Sequence, residues 1–148
     1  MTNEKSEAQQ YRVPFVERTG MQYLAKERGY VKLLMPLGPN ANHVDVMYMG
    51  AFTVLAEAAA ANPGISILDT AKYFPIVKDI AVDFYRMAAS DVTAEYRLGE
   101  ADIEDLLADL ERKGSAGYLA EIPMLDAEGT LVATGKVTIK LLSHKWEG

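Results

Sequence analysis

One stretch of the chain combines an apolar helix pattern with a single carboxylate. Residues 47–61 are almost all apolar or small, and Glu57 is the one charged side chain among them. A helix that is apolar on every face is normally buried, and a run of about 15 residues is too short for a bilayer, which needs about 20. A carboxylate is rarely buried without a reason. We therefore predict a buried helix over about residues 46–61, in which Glu57 has a special role.

The spacing around Glu57 suggests what that role is. Thr53 and Gly50 precede it by four and seven residues, which places all three on one helical stripe. Gly50 falls near the predicted helix start, where backbone N–H groups lack intrahelical partners and attract negative charge. Side-chain oxygens of Asn42 or Asp45 are expected to cap that end. The pattern predicts a helix start that can receive an oxygen, with a carboxylate about two turns deeper.

Composition narrows the class of protein. With 148 residues we expect one domain over residues 11–148, preceded by a disordered N-terminus over 1–10. The net charge of −6 argues against nonspecific nucleic-acid binding, and the absence of cysteine excludes disulfides and thiolate chemistry. Two isolated histidines predict no metal site. The polar N-terminus lacks the apolar core of a secretory signal, so a cytoplasmic location is the default expectation.

The remaining sequence predicts strands, two further helices and tight turns. Strands are predicted over 21–27, 30–37, 74–87, 92–98, 118–125 and 130–142, with a hairpin turn at 126–129. Helices are predicted over 11–19 and 100–113. Antiparallel strands around one apolar helix indicate an α+β fold, in which a curved sheet wraps the central helix.

Three finer expectations concern side-chain direction and helix length. The sequence Asn62-Pro63-Gly64 should end the central helix. Strand 74–87 should bury one parity and expose the other. The side chains expected to point inward are Val13, Phe15 and Val16 of the first helix and Ile76, Ile80, Val82 and Phe84 of that strand.

The stretch from Asn42 to Glu57 resembles thioesterases of the phenylacetyl-CoA type, which have the hotdog fold. Their pattern is N-x-x-G-x-x-H-G-G, with an Asp or Glu seven residues after the last Gly. Asn42 matches the motif Asn, Gly50 the last Gly, and Glu57 the acid, within Leu55-Ala56-Glu57.

Three positions depart from that pattern. Asp45 stands where the first Gly is expected, Tyr48 replaces the His, and Met49 replaces the Gly before Gly50. The likeness extends more loosely over about residues 20–142. The helix at 100–113 is similar to an insertion in an uncharacterised, divergent branch of the superfamily.

The resemblance implies an acyl-CoA or related acyl thioester hydrolase. Gly50 N–H would polarise the thioester carbonyl, Glu57 would act as general base or nucleophile, and Asn42 would position substrate or water. Further candidates for positioning the substrate are Tyr48, Thr53, Asp45 and His43. The resemblance implies no cofactor and no metal, with coenzyme A entering as part of the substrate.

The resemblance also implies an assembly. We expect a homodimer or a dimer of dimers, joined through strand 74–87, in which the partner subunit completes the pocket. Neither a nucleic-acid partner nor a membrane span is expected.

Other interpretations remain open from the residues alone. Glu57 could lie at the helix edge and pair with a surface base. Tyr48 could be a core aromatic, Thr53 could bond the carbonyl four residues earlier, and Asp45 and His43 could be a cap and a surface residue. A non-catalytic binder of acyl-CoA or another apolar ligand, or an enoyl-CoA hydratase-like enzyme, would share the fold.

Overall fold

The computed structural model describes residues 12–145, which form one antiparallel sheet and three helices. The strands are β1 (Gln22–Glu27), β2 (Tyr30–Met35), β3 (Tyr73–Phe84), β4 (Val92–Arg97), β5 (Ser115–Leu125) and β6 (Leu131–Ser143). The helices are α1 (Pro14–Arg18), α2 (Met49–Ile67) and α3 (Glu100–Lys113), and a 3₁₀ turn covers Gly38–Asn40. The strand order is β1-β2-β4-β5-β6-β3, so β1 and β3 are the edge strands. The expected disorder of residues 1–10 lies outside the described residues.

The central helix α2 packs against five of the strands, β2 to β6. Its alanines allow a close approach to the sheet, and Leu55, Ala56 and Ala59 are fully buried. The approach is close at Gly135 in β6, where an added Cβ would lie 2.7 Å from the Cβ of Ala56. A curved antiparallel sheet around one apolar helix confirms the predicted hotdog architecture.

The predicted bounds of α2 are wrong at both ends. The helix begins at Met49, and it continues through Pro63 to Ile67 instead of ending at residues 62–64. Pro63 has no N–H to donate. At the next position the Tyr118 hydroxyl accepts the N–H of Gly64 and donates to the carbonyl of Ala60 at 2.5 Å. A side chain from β5 therefore bridges the last turns of a helix that local signals would have ended.

Strand β3 contains a β-bulge between Val77 and Asp79, which changes the face of every residue before it. Val77 pairs with the buried Ile139, whereas Ile76 pairs with Lys140 and is 41% exposed. The prediction that Ile76 points inward is therefore wrong. Beyond the bulge, Ile80 and Val82 are half-buried, and Phe84 makes an edge-to-face contact with Phe52 of α2 while staying largely exposed.

Helix α1 is a five-residue segment with no buried residue. Val13 and Phe15 are exposed, and only Val16 is half-buried, so the predicted inward face of this helix is wrong. The reason is that α1 lies outside the core. Phe15 faces outward, with the Arg18 guanidinium 5.8 Å from its ring centre.

Helix α3 and the last hairpin follow their predictions. Helix α3 covers 100–113 and buries Ile103, Leu106 and Leu110. It ends at Gly114, whose φ of +72° suits glycine. In the hairpin, the N–H of Gly129 bonds the carbonyl of Asp126 at 3.0 Å, which confirms the turn at 126–129.

Candidate active site

Glu57 lies half-buried on α2 and opens into a groove of about 360 Å³ between α1, β1 and α2, called here the Glu57 groove. No hydrogen bond or ion pair to Glu57 occurs within residues 12–145, and burial raises the pKa of its carboxyl group. The groove wall is mainly apolar, with Val13, Val16, Met21, Ala61 and Ile65. The carboxylate therefore faces open, mostly apolar space instead of a neutralising base.

The cations of the Glu57 groove are engaged with other groups. Arg12 forms an ion pair with Glu17 at 2.5 Å, and the ammonium group of Lys26 lies 5.2 Å from the centre of the Tyr23 ring. Neither forms an ion pair with Glu57. The interpretation of Glu57 as half of a surface salt bridge is therefore not supported.

The start of α2 has no side-chain cap. Tyr48 is the N-cap residue, and its side chain bonds no helix N–H. The expectation that Asn42 or Asp45 caps this end is wrong, because the loop turns away before the helix begins. The Oδ1 atom of Asn42 accepts the backbone N–H groups of Val44 and Val46, at 2.9 and 3.2 Å. Asp45 is exposed within that turn and has a φ of +61°.

Gly50 is the second residue of α2, and no acceptor for its N–H is found in the described chain. An added Cβ at this position would collide with the ring of Tyr48. Tyr48 itself is 55% exposed, which excludes the core-aromatic interpretation for the single chain. The helix start therefore presents a free backbone donor beside an exposed tyrosine.

A second cavity, of about 570 Å³, lies beside the helix start and is called here the helix-start cavity. Asn42, His43 and Tyr48 line it, together with apolar residues that include Phe52 and Met87. Glu57 does not line it, and none of those five lines the Glu57 groove. Helical rise separates the Cα atoms of Gly50 and Glu57 by about 10 Å. The structure thus brings together three of the sequence-predicted site residues and separates them from Glu57.

Comparisons with known proteins agree with this architecture. Residues 3–141 match the model of a family described as a domain of unknown function, DUF4442. The chain belongs to the DUF4442 family. No curated protein is significantly similar to it.

Several solved structures share the hotdog fold of this DUF4442 chain, and some of them are described as thioesterases. PA5026 from Pseudomonas aeruginosa, described as a "probable thioesterase" of unknown function, is 35% identical over 91% of each chain, with a TM-score of 0.83. OLEI01261 from Chlorobaculum tepidum, of unknown function, is 17% identical over 88% of this chain and 86% of its own, with a TM-score of 0.77. Thioesterase HI1161 from Haemophilus influenzae is 18% identical over 90% of this chain and 85% of its own, with a TM-score of 0.68. The last two show the shared fold.

Three further observations concern Thr53, metal ligands and membrane-spanning helices in this family member. Thr53 donates its hydroxyl to the carbonyl of Met49, four residues earlier, at 3.4 Å, which is the structural alternative for that residue. Residues 12–145 contain no group of three or more His, Asp or Glu side chains able to hold a metal. In the same part of the chain, no helix has the length and hydrophobicity needed to cross a membrane.

Sequence reasoning missed Asn62 and Tyr23, which both line the Glu57 groove. The sequence pattern predicts a helix stop at Asn62, but this residue lies within α2 and is 9% exposed. The sequence contained one signal for Asn62: it is a polar residue directly after four alanines, and it lies four residues after Ala58, which places both on one face of a helix. Tyr23 had no comparable signal, because its position depends on where β1 meets α2.

Proposed function

We propose that this protein hydrolyses acyl thioesters of the acyl-CoA type, with Glu57 as general base or nucleophile. The observation that carries the proposal is the half-buried, unpaired carboxylate of Glu57 beside an open, mainly apolar groove. Apolar surroundings raise a carboxyl pKa towards the range in which it can take a proton from water. Relatives named as thioesterases support the reaction type.

The proposed chemistry uses one base and one backbone donor. The Glu57 carboxylate takes a proton from water, and the resulting hydroxide adds to the thioester carbonyl. The tetrahedral oxyanion accepts the Gly50 N–H, a type of contact that can contribute about 3–4 kcal/mol. The intermediate then expels the thiolate, which takes up the proton, so that the products are a carboxylic acid and a thiol. In the nucleophilic variant Glu57 adds to the carbonyl and the thiolate leaves, which gives a mixed anhydride. Water then cleaves the anhydride to release the carboxylic acid and the free Glu57 carboxylate, and the proton of that water passes to the thiolate.

One reaction centre needs both cavities, and we propose that a second copy of the chain joins them. Within one chain the Glu57 groove and the helix-start cavity share no lining residue; Gly50 lines neither, and the adjacent Met49 lines the helix-start cavity. The helix start is flanked by exposed apolar side chains, including Met49, Tyr85 and Met87, the last of which is 78% exposed. Strand β3 beside them is a sheet edge, with backbone groups free to pair. A homodimer, alone or doubled into a tetramer, would place the helix start of one chain against the Glu57 groove of the other.

Mixing two inactive variants tests this shared site. Glu57→Gln removes the base, and Gly50→Val fills the helix start and displaces the Tyr48 ring. If each site takes Glu57 from one chain and Gly50 from the other, a heterodimer of the two variants contains one intact site. An equal mixture, dissociated and reassociated, should then recover about a quarter of wild-type activity. If the mixture recovers no activity, the two chains do not share a site. The role of Glu57 is tested separately, by the activity of Glu57→Gln alone.

Binding without hydrolysis is the second candidate function. The observation that favours it is the loop at the helix start, where Asn42 Oδ1 is occupied by two backbone N–H groups and Tyr48 stands in the position of the motif His. If the protein is a binder, the Glu57→Gln variant should still bind acyl-CoA, and the wild-type protein should hydrolyse no member of a broad acyl-CoA panel. Turnover of any member of that panel that Glu57→Gln abolishes would reject this candidate.

A further inference from the structure

The Glu57 groove contains a buried amide side chain, Asn62, that the proposed chemistry does not use. Asn62 lies on the same face of α2 as Ala58 and is 9% exposed. Its Nδ2 atom donates to the carbonyl of Ala58 at 2.7 Å, and its Oδ1 atom accepts a long hydrogen bond of 3.4 Å from the Tyr23 hydroxyl. An asparagine side chain has two amide hydrogens and two lone pairs. Asn62 therefore keeps one donor and one acceptor position unused.

A purely structural role explains Asn62 poorly. The carbonyl of Ala58 lies inside α2, where helical geometry already offers it the backbone N–H of Asn62. The hydrogen bond from the Asn62 side chain is therefore a second bond to a carbonyl that already has a partner. A buried amide that is incompletely hydrogen-bonded costs stability relative to an apolar side chain of similar size. Alanine or leucine would suit this wall of the groove better if it only had to be filled.

The separation of Glu57 and Asn62 along the groove indicates the length of acyl chain that would reach from one to the other. The two residues are five positions apart, so they are separated by about 7–8 Å along the helix axis, and both line the groove. The wall between and beyond them is formed by Ala58, Ala61 and Ile65. An extended saturated chain of about five or six carbons covers that length. An acyl group whose carbonyl lies at Glu57 would therefore bring its fifth or sixth carbon to Asn62.

We propose that Asn62, with Tyr23, binds a hydroxyl or keto oxygen about five or six carbons from the thioester carbonyl. This inference rests on the proposed function, because it assumes that the acyl group extends from Glu57 along the groove. The weak Tyr23–Asn62 bond would be exchanged for two bonds to the substrate oxygen. The free amide hydrogen of Asn62 donates to that oxygen, and a substrate hydroxyl donates to Oδ1. Asn62 is then a specificity-determining residue for an oxygenated, medium-length acyl group.

A binding experiment on the Glu57→Gln variant tests the proposal without requiring turnover. The probes are hexanoyl-CoA, 6-hydroxyhexanoyl-CoA and 3-hydroxyhexanoyl-CoA, and the measurement is the Kd of each by calorimetry. We expect 6-hydroxyhexanoyl-CoA to bind about tenfold or more tightly than the other two, because it alone places a hydroxyl at Asn62. Equal affinity for all three probes, or no binding of any, would overturn the inference.

Two variants show whether the preference comes from the proposed residues. Adding Asn62→Leu to the Glu57→Gln protein should abolish the preference while retaining hexanoyl-CoA binding. Adding Tyr23→Phe should reduce the preference by a smaller factor, and it keeps the proposal testable if the leucine variant does not fold. A preference that survives both substitutions would reject the assignment. Absence of hydrolysis by the wild type would reject the proposed function separately, because the binding preference is measured without it.

Discussion

Replacing Glu57 with glutamine preserves the shape of the side chain and removes its ability to accept a proton. A positioned general base typically contributes 10²–10⁴-fold to a rate, or about 3–5 kcal/mol. The other carboxylate of the Glu57 groove, Glu17, is held by Arg12 at 2.5 Å and cannot substitute. We therefore expect the full loss of kcat, about 10²–10⁴-fold, with little change in KM.

The same substitution should not destabilise the fold. Burial is the cause that raises the pKa of Glu57, and no ion pair is lost when its charge is removed. A folded-state pKa above the usual value of 4.5 means that the native state binds more protons than the unfolded state between the two pKa values. Wild-type stability therefore falls as pH rises through that interval, whereas the amide of the variant does not titrate. Glu57→Gln should match the wild type at low pH and become the more stable protein at neutral pH.

The assays are hydrolysis of an acyl-CoA panel with a thiol reagent and urea unfolding over a pH series. The wild-type kcat/KM should rise with pH through the raised pKa of Glu57, because the base acts as the carboxylate. Glu121→Gln is the matched control, since Glu121 lies exposed on β5, 3.9 Å from Lys136 and outside the lining of the Glu57 groove. Undiminished hydrolysis by Glu57→Gln would refute the proposed base. Lower stability of that variant at neutral pH would refute the account of an unpaired, desolvated carboxylate.

Two further predictions concern the packing that positions α2. Gly135→Ala places a methyl group 2.7 Å from Ala56 Cβ and should cost about 1–3 kcal/mol of unfolding free energy in urea denaturation. The double variant with Ala56→Gly should lose less stability than the sum of the two single variants. Strict additivity of the two losses would contradict the close contact. Tyr118→Phe removes the hydroxyl that donates to the Ala60 carbonyl and should cost about 1–3 kcal/mol, whereas Tyr30→Phe, which removes a hydroxyl bonded only at an exposed site, should cost much less. Equal effects of the two tyrosine variants would show that the bridge in α2 contributes nothing.

Local signals were sufficient for several elements. The bounds of α3 follow from apolar residues three and four apart, acids at its start, bases at its end, and Gly114 after it. The hairpin at 126–129 follows in the same way, because the Asp126 side chain bonds backbone N–H groups within four residues. In these segments the interactions that fix the structure lie close together in the sequence.

Long-range contacts decided what local signals predicted wrongly. The continuation of α2 past Pro63 depends on Tyr118, which is 58 residues from the Ala60 carbonyl it bonds. The exposure of Ile76 depends on a bulge that exists only in the pairing of β3 with β6. The outward position of Phe15 depends on α1 lying beyond the edge of the core.

The order of residues is enough to predict that a small-residue helix is buried and that it carries one carboxylate two turns from a glycine at its start. The reason is that helical periodicity and hydrophobicity are properties of neighbouring residues. Which space each group faces depends instead on how distant segments pack around α2. The sheet leaves one face of α2 to α1 and β1, so Glu57 opens into a groove separate from the cavity at the helix start. Residues on one helical stripe share a direction, but the surrounding elements determine whether they share a site.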